Sequence, residues 1–188
     1  MKTFRFASAL VALSLLPAAV LAETPKPPAP PAPVEMKALD SMLGDWTCSG
    51  TMPASEVFGP EQKTSTRVKV TREVGGNALL FRIGFKTLGQ QPMSANILGL
   101  WYYDALAREY VAPSVDDMGA SFVQKSKGFE GDVLTFAGSG TMMGKKVDPA
   151  TDRFTRHADG SLSHLYEGTL DGKKIVFVDE VCKKSGKK

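Results

Sequence analysis

The sequence predicts an all-β protein, an antiparallel meander of about ten strands closed into a barrel and preceded by one short helix. Three observations carry this. From Asp45 onward the apolar residues recur with a period of two. Turn signals punctuate the runs at Gly75-Gly76-Asn77, Gly89-Gln90-Gln91-Pro92, Asp116-Asp117-Met118-Gly119, Glu130-Gly131-Asp132, Ala158-Asp159-Gly160 and Asp171-Gly172. Such residues supply the positive φ that hairpins demand. No helical pattern separates the runs, which excludes parallel crossovers. A long meander with one apolar face closes on itself rather than leave two unpaired edges.

The chain of 188 residues suits one domain with a real core. Its 43% hydrophobic and 23% charged residues are ordinary for a globular protein. The formal charge of +3 includes Lys2 and Arg5, which belong to a segment expected to be removed. Without them 21 basic residues face 20 acidic ones, which argues against nucleic acid as a partner.

Residues 1–22 have the parts of a secretory signal. Lys2 and Arg5 form a basic start, Ala7 to Leu16 an apolar run, and Val20-Leu21-Ala22 a cleavage site before Glu23. The apolar run is short for a membrane span of about 20 residues and Pro17 interrupts its end. No cysteine follows the cut to carry a lipid. The expectation is a periplasmic or secreted protein with no stable membrane insertion after cleavage. Residues 23–34, ETPKPPAPPAPV, form a Pro-rich linker that favours extended polyproline II. The domain is assigned to 35–184, and 185–188 to a basic tail.

Within 35–43, Met36, Leu39, Met42 and Leu43 are spaced for one amphipathic helix, and Gly44 supplies its stop. The strand runs are 45–51, 64–74, 78–88, 93–104, 109–115, 120–128, 132–142, 151–157, 161–170 and 173–183. In the third, Leu79, Phe81, Ile83 and Phe85 share a core face, with Arg82 and Lys86 on the other side. Residues 97–103, ILGLWYY, are apolar on both faces. They need cover outside the barrel, from the helix or from a second subunit in a homo-oligomer.

Cys48 lies in the first run and Cys182 in the last. In an exported chain this pairing favours a disulfide that fastens the barrel's ends. The alternatives are two buried thiols, or a redox pair that here lacks Cys-x-x-Cys spacing. Opposed cysteines must point to the same face. Alternation on Ile175, Phe177 and Val181 opposes that for Cys182, so a bulge or an end-of-strand geometry is required.

The stretch from Met36 to Thr51, with Gly44-Asp45-Trp46 at its centre, resembles the opening of the domain-of-unknown-function 1579 proteins. Gly99-Leu100-Trp101-Tyr102-Tyr103-Asp104, Asp159-Gly160-Ser161 and Cys182-Lys183-Lys184 fit the same pattern. The resemblance covers roughly 36–184 and implies a lipocalin-like barrel in a bacterial secreted protein. It implies no catalytic residues, because that group has no established common activity. In such barrels a Trp on the first strand plugs the closed end, a role Trp46 would fill. Gly44 would let the chain turn sharply from helix into strand.

The chemistry-bearing residues are few. His157 and His164 have no third ligand at metal spacing, so no metal site and no cofactor are assigned. Gly138-Ser139-Gly140 lacks the nucleophile-elbow pattern and reads as a bulge or bend. The adjacent pairs Asp116-Asp117 and Asp179-Glu180 point apart on a strand. No catalytic set assembles. The leading function is therefore non-enzymatic binding of a small, largely apolar ligand inside the barrel, by Phe81, Phe85, Trp101, Tyr103, His164 and Tyr166. One alternative is a filled barrel acting as a protein-interaction module through 97–103. Another is a haem-binding or enzymatic barrel that uses His164.

Overall fold

The structure is a computed structural model that describes residues 31–89 and 92–186. The expected signal segment (1–22), most of the expected linker, Gln90-Gln91 and the last two lysines lie outside the described residues.

The N-terminal helix runs Val34–Met42 and is a 3₁₀-helix. Its period of three stacks Met36, Leu39 and Met42 along one edge, and all three are buried. Gly44, at φ +119°, then turns the chain into the first strand. That backbone conformation is one that side-chain-bearing residues rarely adopt.

Eleven strands follow: β1 (Gly44–Met52), β2 (Gln62–Glu73), β3 (Ala78–Leu88), β4 (Ser94–Asp104), β5 (Glu109–Asp116), β6 (Ser121–Ser126), β7 (Phe129–Glu130), β8 (Val133–Met142), β9 (Lys145–Arg156), β10 (Leu162–Leu170) and β11 (Lys173–Lys184). Each pairs antiparallel with its neighbours. β1 pairs β11, and β6 pairs β8, with the two-residue β7 set aside on β8. The result is a closed ten-strand antiparallel barrel, as the turn pattern predicts.

Two irregularities depart from the period-two reading. β9 begins at Lys145, six residues before the expected run, and carries Pro149 within it. Proline is tolerated there because the register with β8 shifts between Gly138 and Gly140 and that with β10 between Gly168 and Leu170. The second irregularity resolves the cysteine problem. β11 carries an extra residue, since Tyr166 pairs with Val178 and Glu167 with Val176. Phe177 is that residue, so Ile175 and Phe177 point inward on one side of the bulge and Val178, Glu180 and Cys182 on the other. Cys48 and Cys182 then stand directly opposite each other and are joined by a disulfide, Cα–Cα 3.9 Å.

The interior has two apolar layers. At the closed end Met36, Leu39 and Met42 of the helix pack with Trp46, Leu79, Trp101, Leu134 and Phe136. The Trp46 indole N–H donates to the Met42 carbonyl oxygen at 3.0 Å, so the plug and the helix that covers it are one unit. At the other end Phe122, Val147, Leu170, Ile175 and Phe177 form the second layer, with Phe58 and Met142 against it.

The helix covers the barrel's end and not the outer face of β4. Leu98 stays 40% exposed and Tyr102 37% exposed on that face, so the helix is not the cover expected for 97–103.

Candidate functional site

Between the two layers the barrel holds a cavity of about 200 Å³. Alternation along each strand decides what lines it. β3 contributes Phe81, Ile83 and Phe85, β4 contributes Ala95, Ile97 and Trp101, and β2 contributes Thr66, Val68 and Val70. Near the layer of Phe122 and Phe177 the lining is soft. Met52, Met93, Met118, Met142 and Met143 contribute to it, and unbranched thioethers adapt to irregular occupants.

Of the expected ligand-binding residues, Phe81, Phe85, Trp101, His164 and Tyr166 line this cavity together. Tyr103 does not line it, which corrects the sequence assignment. Two residues beyond Trp101 on the same strand, it packs edge-on against Tyr110 at 5.3 Å, and the Tyr110 hydroxyl donates to the Glu35 carbonyl at 2.8 Å. Alternation places Tyr103 on the inner face correctly, but its level in the barrel belongs to the closed end under the helix. Trp101 itself belongs partly to that floor, stacking on Phe136 at 5.8 Å and meeting Phe81 at 5.0 Å.

A belt of polar groups crosses the otherwise apolar wall. His164 Nδ1 lies 3.0 Å from Glu180 Oε1, and its Nε2 lies 2.7 Å from Asp152 Oδ1. Thr66 donates its hydroxyl to the other Glu180 oxygen at 2.7 Å. The imidazole lies flat on Phe154, with ring centres 4.7 Å apart. Burial alone disfavours an imidazolium, but hydrogen bonds to Asp152 and Glu180, reinforced by both charges, raise the His164 pKa to about 10. The ring is therefore charged at neutral pH and both its nitrogens are donors, so it offers no lone pair to a metal. It offers no base to a nucleophile either, since the Thr66 hydroxyl turns to Glu180 and away from the ring.

Two further polar atoms reach into this space. The Tyr166 hydroxyl and Gln124 Nε2 are buried, and neither has a hydrogen-bond partner among the described residues. Burial pushes the Tyr166 phenol well above its ordinary pKa, and Asp152 adds to this, so it stays neutral. Cys48, Glu180 and Cys182 are close enough to suggest a metal site, but both sulfurs are committed to the disulfide.

Asp152, Gln124 and the methionines near Phe122 and Phe177 were not singled out from sequence, and Glu180 was named only as half of an adjacent carboxylate pair and as a neighbour of Cys182. The signal for Glu180 was present, because a period of two counted back from an inward Cys182 places it inside. Asp179 beside it is exposed. Asp116 likewise lines the cavity, whereas Asp117 turns outward to accept hydrogen bonds from Asn96.

No family model and no curated protein sequence matches the chain. Among solved structures it is similar to the crystal structure of Rv2717c from M. tuberculosis, with a TM-score of 0.65 and 15% sequence identity. The match covers 82% of this chain and 99% of that one. At this identity the likeness establishes the barrel fold and nothing finer.

Proposed function

We propose that this barrel is a non-enzymatic binding protein for a small, largely apolar molecule, and that it works in the periplasm. The observation that carries the reading is the cavity of about 200 Å³ between the two packed layers. Close-packed interiors rarely leave such space, and an engineered apolar cavity of about 150 Å³ already takes up benzene. The volume is below the range of drug-sized pockets, so the ligand is small. Export is supported by the N-terminal signal pattern and by the disulfide, a bond favoured in oxidising compartments. Membership of the domain-of-unknown-function 1579 group is part of the same proposal and rests on the residues around Trp46 and Trp101.

The test is uptake of the fluorescent hydrophobe N-phenylnaphthylamine by the unreduced protein and by Ile83→Trp, whose larger ring would fill the cavity. Uptake by the wild type and its loss in the variant support the reading. Equal uptake by both places the probe elsewhere and removes the basis for it.

A second reading, an interaction module, is favoured by one observation. Leu98, Val115 and Val123 are 40%, 54% and 55% exposed on the adjoining outer faces of β4, β5 and β6. Single exposed apolar residues are ordinary, but a contiguous group is not.

A further inference from the structure

We infer that the molecule held in the barrel is a small apolar amine with an oxygen acceptor close to its nitrogen, recognised by Asp152, Asp116, Gln124 and Tyr166. This rests on the reading of the cavity as a binding site and narrows it to a chemical class.

Charge balance comes first. Asp116, Asp152 and Glu180 line the cavity against one cation, His164, and no lysine or arginine lines it among the described residues. With His164 protonated the wall keeps an excess of negative charge in an apolar setting. A carboxylate ligand would face repulsion there, whereas an ammonium would be attracted.

The free valences come second. Glu180 has both oxygens engaged, one on His164 and the other on Thr66. Asp152 gives only Oδ1 to His164, and the backbone N–H groups of Met118 and Ala120 reach only Oδ1 of Asp116. Each therefore keeps an oxygen for a ligand N–H. Gln124 is only 4% exposed, yet its Nε2 has no partner among the described residues, and the same holds for the Tyr166 hydroxyl. A buried donor is costly to leave unpaired, so a ligand acceptor at this place would be favoured.

Topology brings Gln124, Asp152 and Tyr166 together, and Asp116 lines the same cavity. Gln124 pairs across to Gly138, and Gly138 to Ala150, which pairs in turn with Gly168. The next row carries Phe136, Asp152 and Tyr166. The small residues in Gln124's row let side chains of β6 reach over β8 and β9 toward β10. The contact of Phe122 with Tyr166 at 5.7 Å shows that they do. Aromatic rings beside the carboxylates also suit an ammonium through cation–π attraction.

Octylamine, octanol and octanoate share one apolar body and differ in the charge of the head, so calorimetric titration of the protein with all three tests the inference. Octylamine should bind about tenfold or more tighter than octanol, with octanoate weakest, the scale of a charge-assisted hydrogen bond. Asp152→Asn should bring octylamine down to the affinity of octanol. Asp116→Asn, which keeps the acceptor used by the turn, should do so in part and serves if the first variant unfolds. Equal affinities, or octanoate tightest, would overturn the amine assignment while leaving the binding site intact. No uptake of any of the three overturns both.

Discussion

His164 and Glu180 meet inside the barrel, Nδ1 to Oε1 at 3.0 Å, at a place where the wall is otherwise apolar. With Asp152 on the other ring nitrogen they form a carboxylate–imidazolium–carboxylate row that ties β9, β10 and β11 together from within. Breaking such a row leaves buried charge uncompensated, so its cost exceeds the worth of one hydrogen bond.

The row gives stability a defined pH dependence. Burial opposes the charge on His164, but its bonds to Asp152 and Glu180 prevail and raise the pKa from 6.5 to about 10. A raised histidine pKa stabilises fully below the unfolded value and loses that contribution as pH climbs through the folded one. Urea midpoints should therefore fall between pH 6.5 and about 10 in the wild type, and much less in His164→Gln. That variant should cost about 3–5 kcal/mol at neutral pH. Parallel curves for the two proteins would mean that the ring is not charged.

The disulfide joins residues 134 apart in sequence, across the β1–β11 seam. In the chain-entropy model a loop of this size stabilises by about 5 kcal/mol, an upper figure in practice. Thermal unfolding with and without reductant should show a large drop in Tm for the wild type and none for Cys48→Ala/Cys182→Ala. A reductant effect in the double variant would trace the drop to something other than this bond.

The glycines of β8 predict a packing failure. A Cβ on Gly140 would collide with the Ser121 carbonyl oxygen and the Phe122 ring, and one on Gly138 with the Val123 carbonyl oxygen. Gly140→Ala should destabilise by about 1–3 kcal/mol, the usual cost of overpacking, as read by denaturant unfolding. A neutral substitution would show that the β6–β8 backbone pairing and the Phe122 ring both yield easily there.

Face assignment is open to a direct comparison. Phe81 and Phe85 line the cavity, and Arg82 between them is exposed. Replacing either phenylalanine by alanine should weaken uptake of an apolar probe about tenfold, the order expected for losing one buried ring. Arg82→Ala should leave it unchanged. Equal losses at Phe81 and Arg82 would mean that the effect does not come from the inner wall.

The barrel was legible because turn residues and a period of two are local signals, and each of them agrees with closure. Gly44 was legible for the same reason, since a helix stop needs a particular residue type at one place, whereas the plug role of Trp46 came with the family resemblance. What escaped was the position of the bulge, whose need the cysteines had signalled, and height within the barrel. The extra residue at Phe177 reverses the alternation of β11, and only pairing with β10 reveals it. Tyr103 was placed on the right face at the wrong level, because level depends on where strands pair and not on their own period. The charged belt was hidden because His164 finds its carboxylates on two other strands, 12 and 16 residues away.

Whether the barrel holds a small apolar molecule is decided by native mass spectrometry of unreduced protein secreted into the periplasm of an expression host. The expected spectrum shows a polypeptide lighter by two hydrogens than its reduced form, carrying a reproducible adduct that organic solvent releases. Bare protein that also takes up nothing from a panel of amines, alcohols and hydrocarbons would contradict the claim, and would shift the assignment to an interaction module acting through Leu98, Val115 and Val123.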